Sequence, residues 1–340
     1  MNKVTSVFYI GLHPHMLMWL RNDSVKVIGA SHLEYLYRFS VNPFNLLFIF
    51  SYWLHKNRLL RVINFLLWQL VWLCKPFLTS VYRKYFEHVN EIIRQNIDVL
   101  DVDDTAGLGA YIKGKGIDLI VINSWSLLPA VIVSAPKYGS VNIHPSELPK
   151  YRGALPTLWS LKNGDTSSAV TYMLARDKAD NGEIISQYAF SIERGDNWLS
   201  VEKKIDSIVQ KTFIKDVLSY VDGLLIPKIQ QGEVSGTGKY SEYMKINPVQ
   251  EKVEDVLNKI GLYPYLEPSV YCYLVVANKE IHIKAASLQD AETVQSGTYK
   301  VSGNKIYVQV SDGSFSARLF IDISFSESLF LLFHRKGSLG

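Results

Sequence analysis

An apolar run from Lys137 to Val141 passes into Asn142-Ile143-His144 and meets Pro145, with Pro149 close behind. No other stretch constrains the chain as tightly. The run reads as a strand, and on a strand side chains two apart share a face, so Asn142 and His144 stand together. Proline brings no amide hydrogen to a central ladder, so the strand stops where the prolines begin. The amide and imidazole therefore sit at a strand's carboxyl end, the edge of open α/β sheets where loops leave a crevice for ligands.

A lone histidine after an apolar run is ordinarily a hydrogen-bonded core side chain. His144 has company. Asn142 precedes it on the same face, Tyr151-Arg152-Gly153 supplies a tight turn, and Ala179-Asp180-Asn181-Gly182 supplies a carboxylate that can orient an imidazole.

Around this centre, apolar and β-branched runs predict strands at Val4 to Ile10, Val25 to Gly29, Asp118 to Asn123, Ala169 to Leu174 and Glu183 to Ser191. Val89 to Asn96, Pro129 to Ser134 and Leu199 to Leu224 predict helices. The alternation implies an α/β fold: a Rossmann-like, mainly parallel sheet with helices on both faces. The first strand leads to His13-Pro14-His15 and no Gly-x-Gly-x-x-Gly, which argues against dinucleotide binding, and the two histidines lack a third metal ligand. Glycines and small polar residues from Gly232 to Tyr240 suggest a linker. Short strands follow at Tyr271 to Val276, Glu280 to Ala286, Gly297 to Val301, Lys305 to Val310 and Ser314 to Ile321, with Gly303-Asn304 and Asp312-Gly313 as turns. The expected organisation is a main domain over 1–230, a linker over 231–240 and a small OB-like β domain over 241–340.

Within the main domain, 41–86 reads as an insertion. Between Glu34 and Glu87 there are seven Lys and Arg and no acidic residue, in an intensely apolar context. On a helical wheel Arg58, Arg61, Asn64, Gln69 and Lys75 share an arc with Phe65, Trp68 and Trp72, opposite an aliphatic arc that includes Leu59, Val62, Ile63 and Leu66. That pattern suits a helix in a membrane interface. Its apolar runs are shorter than the roughly 20 residues a span requires. Packing of the aliphatic face on the main domain or on a second copy is the other reading. The two cysteines, Cys74 and Cys272, form no disulfide framework, and Met1 to Gly11 has no signal-peptide pattern, so a cytoplasmic protein is expected.

The spacing Asn142-x-His144-x-Ser146-x-Leu148-Pro149-x-Tyr151-Arg152-Gly153, followed by Pro156, Trp159, Asn163-Gly164 and Asp180-x-Gly182, resembles the folate-dependent formyltransferases. That family includes methionyl-tRNA formyltransferase, glycinamide ribonucleotide transformylase and the enzymes that N-formylate nucleotide-linked amino sugars. The resemblance implies 10-formyltetrahydrofolate as co-substrate, no metal, and Asn142, His144 and Asp180 as the catalytic group. It implies folate binding along Ser126-Leu127-Leu128 and the segment Arg176, Asp177, Lys178, Ala179, Asp180, with Arg152-Gly153 bordering the cleft. The run from Ser296 to Gly313 resembles, more loosely, the open-barrel carboxyl domain of the longer members. Ala154 stands where the aminoarabinose-nucleotide enzyme carries arginine, a departure from that enzyme's site.

Three functions fit such a chain: an amino-sugar N-formyltransferase, a methionyl-tRNA formyltransferase, or an inactive scaffold of the same fold. Charge separates the first two. Residues 231–340 hold eleven Lys and Arg against twelve Asp and Glu, a net of −1, whereas a domain gripping tRNA should be distinctly basic. The expected partner is a nucleotide-linked amino sugar, as in bacterial surface-polysaccharide synthesis, and not nucleic acid. A peripheral membrane contact or a homodimer through 41–86 is expected alongside.

Overall fold

A computed structural model of the chain describes residues 5–11, 16–20, 24–31, 54–55, 61–64, 66, 92–123, 127–262, 272–289, 297–302, 305–319 and 336–338. His13, His15, Cys74, Ser126, the Gly303-Asn304 turn and most of 41–86 lie outside the described residues. The chain forms two compact units. The first comprises 1–156, 167–190 and 205–236, and the second 157–166, 191–204 and 237–340.

The first unit is built on seven strands: β1 Thr5–Gly11, β2 Val25–Ser31, β3 Asp98–Leu100, β4 Leu119–Asn123, β5 Ser140–His144, β6 Ser167–Leu174 and β7 Ile184–Ser191. Their order is β3-β2-β1-β4-β5-β6-β7. From β3 to β5 every neighbour is parallel, and the order grows outward from β1 in both directions. The Rossmann-like, mainly parallel sheet is present. β6 departs from that rule by running antiparallel to β5, pairing Asn142 with Met173 and His144 with Thr171. The connection from β5 to β6 runs through the turn after His144 and a short helix at 156–162 and brings β6 back alongside β5 in the opposite direction.

β1 and β4 are almost wholly buried, as strands covered on both faces must be. Phe8, Ile10, Ile120 and Ile122 pack there with Leu108 and Ile112. Ser6 fixes the β1–β4 register: its backbone N–H and hydroxyl both donate to Asp118, at 2.9 and 2.8 Å. A short helix, α1 Met16–Trp19, follows β1. Helix α2, Thr105–Lys115, starts where Asp104 accepts the Gly107 N–H at 2.9 Å and ends at Gly116, whose φ of +60° is the left-handed cap glycine favours. Helix α3 spans Ala130–Val133, and α4, Pro156–Lys162, is capped by Gly164 in the same left-handed conformation. Helix α5 spans Trp198–Val221; from Ile205 its buried stripe is Ile205, Val209, Phe213 and Val217. Phe213 meets Tyr172 of β6 edge-on at 5.0 Å. Asp216 on the same helix accepts from the hydroxyls of Ser186 and Tyr188, and burial with that contact pushes the Tyr188 phenol up to about 12.

The second unit contains α6 Tyr240–Met244, α7 Val253–Leu262 and six strands: β8 Tyr273–Val276, β9 Lys279–Gln289, β10 Thr298–Ser302, β11 Lys305–Gln309, β12 Ser314–Leu319 and β13 Lys336–Ser338. They order as β13-β10-β11-β12-β9-β8, with antiparallel neighbours throughout. This is a small β domain of the expected kind. Burial pushes the Cys272 thiol up to about 12, so at neutral pH it is a packing group and not a nucleophile. Among the described residues no helix is long and apolar enough to cross a membrane.

Candidate active site

The chain leaves β5 after His144 and turns back sharply. Ser146, fully buried, donates its hydroxyl to the Lys150 carbonyl at 2.6 Å, while its own carbonyl accepts from Thr171 Oγ1 at 2.6 Å. Ser146 is thus a structural tie. Tyr151 and Leu155 sit at φ of +57° and +56°, conformations that non-glycine residues adopt only when surroundings over-determine them.

On the other side, β6 ends beside Ser140, where the Ala175 N–H donates to the Ser140 carbonyl at 2.8 Å. The loop 175–183 then folds back along β5 and carries Asp180, at φ of +49°, to the Asn142 and His144 face. Gly182 makes this possible: a Cβ there would stand 1.7 Å from the Leu174 carbonyl oxygen. The glycine of Asp180-x-Gly182 is therefore a close-approach requirement.

Asp180 gathers the centre. Its Oδ1 accepts from Asn142 Nδ2 at 3.1 Å, and its Oδ2 accepts the Gly153 N–H at 2.8 Å and lies 3.6 Å from His144 Nδ1. His144 Nε2 is 2.9 Å from the Tyr151 carbonyl. A carbonyl only accepts, so Nε2 carries a proton and donates it. In the neutral ring Nδ1 then holds the lone pair, facing the carboxylate. His144 is buried, whereas Asn142 is partly exposed and has a second amide hydrogen beyond the one given to Asp180.

Of the residues expected to border folate, Leu128 belongs to the hydrophobic core while Leu127 is exposed. Arg152 donates from Nε and Nη2 to Gln230 Oε1 at 3.1 and 2.7 Å, so its guanidinium is held within the protein. Arg176 and Glu183 pair at 2.6 Å across the base of the 175–183 loop, and Asp177, Lys178 and Ala179 are exposed on it. Among the described residues no group of three or more metal-ligating side chains is present.

Residues 228–236 were not readable as part of this site. Gln230 Nε2 donates to the carbonyls of Asp180 and Gly182, both at 2.8 Å, while its oxygen holds Arg152. Ser235 accepts the Tyr151 N–H on its hydroxyl at 3.0 Å and the Arg152 N–H on its carbonyl at 2.9 Å. One segment thus ties the loop after β5 to the loop after β6. Its sequence, Ile229-Gln230-Gln231-Gly232, carries no periodicity or motif that could have signalled this.

The formyl transferase family pattern matches residues 103–217, a region holding Asn142, His144 and Asp180. The methionyl-tRNA formyltransferase of Bacteroides thetaiotaomicron is 30% identical over 237 residues, covering 65% of this chain and 72% of that one. The chain belongs to the folate-dependent formyltransferase family. The methionyl-tRNA formyltransferase of Flavobacterium johnsoniae is likewise 30% identical, over 215 residues, covering 60% of this chain and 66% of that one. A solved sugar N-formyltransferase from a Shewanella species shares the fold, with a TM-score of 0.55 at 15% identity over 86% of this chain and 99% of that one. The chain spans between half and about two thirds of the length of the first relatives it matches. The formyltransferase pattern ends at 217, before the Gln230 and Ser235 ties.

Proposed function

We propose that the chain transfers the formyl group of 10-formyltetrahydrofolate to the amino group of a nucleotide-linked amino sugar. The observation that carries the chemistry is the single carboxylate, Asp180, holding both the Asn142 amide and the His144 ring edge. In the proposed reaction the amine nitrogen attacks the formyl carbon and the carbonyl π electrons move to oxygen. The second Asn142 N–H stabilises that oxyanion. His144 Nδ1 takes the proton shed by the amine, and the imidazolium so formed faces the Asp180 carboxylate. The intermediate then collapses: the carbon–N10 bond breaks, and N10 receives the proton from His144 as it leaves, so that no negative nitrogen is released.

The acceptor is argued from charge. A net of −1 over 231–340 offers little to a phosphate backbone and is compatible with a small nucleotide. Methionyl-tRNA is the second reading, favoured by the names of the sequence relatives at 30% identity. The protein would work in the cytoplasm, where folate cofactors and nucleotide sugars are both at hand. Incubation with 10-formyltetrahydrofolate and, separately, a panel of nucleotide amino sugars and methionyl-tRNA tests this. A formylated sugar is the expected product. Formylation of methionyl-tRNA alone would replace the first reading by the second, and turnover of neither would sink both.

A further inference from the structure

At the far edge of the sheet a helical segment is mounted inside out. Leu54, His55, Arg61–Asn64 and Leu66 are helical. Arg61 Nη2 pairs with Asp98 of edge strand β3 at 2.7 Å, its Nη1 donates to Asn96 and its Nε to the His55 carbonyl, each at 2.9 Å. His55 Nε2 donates to the Ile97 carbonyl at 2.8 Å, and Asn64 is 1% exposed. The polar residues thus face the protein. Leu54 is buried with them, but the aliphatic residues that follow Arg61 are not: Val62 is 69% exposed, Ile63 50% and Leu66 61%. A helix on a water-facing surface shows the opposite polarity, and adjacent exposed aliphatics on one face mark a contact site.

Charge indicates what covers it. The stretch between Glu34 and Glu87, which carries this face, holds seven Lys and Arg and no acidic residue, and among its described residues Arg61 is paired with Asp98. A two-fold contact through this face would bring two copies of the same basic stretch together. An anionic surface is attracted by it, and each Lys or Arg near such a surface strengthens binding about five-fold. We propose that the Val62, Ile63 and Leu66 face is a membrane-docking surface that seats the first unit on anionic phospholipid headgroups, with Arg61–Asp98 as the anchor carrying the load to the sheet. The proposal does not depend on which amine is formylated.

Cosedimentation of the full chain with vesicles tests it, comparing phosphatidylcholine alone with an equal mixture of phosphatidylcholine and phosphatidylglycerol. Binding to the mixed vesicles, weakened by salt, is expected. The combined variant Val62→Ser, Ile63→Ser, Leu66→Ser should lower the partition coefficient at least about ten-fold while formyl transfer in solution is unchanged. Hydrogen exchange of the wild-type protein, which needs no variant to fold, should slow around 54–66 when mixed vesicles are added. No binding to mixed vesicles, binding untouched by the triple variant, or a dimer in free solution that the triple variant dissociates would each overturn the proposal.

Discussion

Two aspartates organise the two ends of the same sheet, and they do so with the same chemistry. Asp180 accepts an amide N–H and a backbone N–H and faces an imidazole; Asp98 accepts from the Arg61 guanidinium and, at 2.8 Å, from the Tyr111 hydroxyl. Each is part-buried and collects donors from segments distant in sequence. The difference lies in what their partners do next. Around Asp180 the donors keep spare capacity: Asn142 has a second N–H, and Nδ1 of the neutral His144 ring has a lone pair. Around Asp98 the guanidinium is spent on Asp98, Asn96 and the His55 carbonyl. A cluster with donors and lone pairs left open toward solvent can do chemistry, whereas one whose charge is committed to its neighbours makes a joint.

The sharpest break of that contrast removes the spare N–H. Asn142→Ala should lower kcat roughly 10²- to 10³-fold, the size of one lost oxyanion donor, with little change in thermal midpoint. Single-turnover kinetics beside calorimetry would check it, and unchanged turnover would remove Asn142 from the reaction. Gly182→Ala attacks the same centre through the backbone. Its Cβ must displace the Leu174 carbonyl, so the 175–183 loop shifts, at a cost of about 1–3 kcal/mol in stability and with a fall in kcat as Asp180 leaves its partners. A variant as stable and active as wild type would show that the close approach is dispensable.

Most of the strands were legible because each carries a dense apolar or β-branched run, and β1, β2, β4, β6 and β7 lie within a few residues of where those runs stand. What was hidden has specific causes. Helix α2 contains Gly107, Gly109 and Gly114, which erase helical propensity and periodicity, and it forms through its Asp104 and Gly116 caps. β3 is three residues long. The direction of β6 depends on which partner it finds, a non-local choice. In the site, Asn142, His144 and Asp180 were visible through spacing, and Gly182 through its motif. Gln230 was not, since a glutamine that bonds two carbonyls 48 and 50 residues away leaves no local trace. The wheel over 58–75 found two faces but could not say which one packs, because the position of Asp98 beside it is a property of the fold.

At the joint, Arg61→Ala should cost about 2 kcal/mol of stability, the scale of a charged hydrogen bond lost from a part-buried carboxylate. Formyl transfer at the other end of the sheet should stay unchanged. A double-mutant cycle with Asp98→Asn should show the two losses as strongly non-additive, and simple additivity would mean that the pair contributes no coupling. A gentler test applies to the tie between the site loops. Gln230→Leu should reduce kcat about ten-fold, roughly 1.4 kcal/mol, with KM for folate little altered, since it frees the loops without touching the reacting atoms. Gln230→Glu sharpens this: it keeps an acceptor for Arg152 but turns the donor that faces the Asp180 and Gly182 carbonyls into another acceptor. Wild-type behaviour from Gln230→Glu would show that donation to those carbonyls is not what positions Asp180.

The smallest effect belongs to the second histidine of the sheet and draws the contrast in protons. Burial, and then the nearby Arg61 charge, hold the His55 imidazole below its usual value of 6.5, although its bond to the Ile97 carbonyl and the Asp98 charge oppose this. Its Nδ1 is buried with no hydrogen-bond partner, so a second proton would have nowhere to point. In the unfolded chain the same ring protonates normally, and below about pH 6.5 the unfolded state therefore binds more protons than the folded one. His55 thus contributes stability that is fully present above about pH 6.5 and declines as the pH falls toward its depressed folded value. Urea midpoints followed from about pH 7.5 down to about pH 5 should fall less steeply in His55→Gln than in wild type, because an amide can give the Ile97 carbonyl its hydrogen without titrating. Equal slopes would mean that His55 takes up its proton in the folded protein as readily as in the unfolded chain, and that the joint, like the site, has room for one.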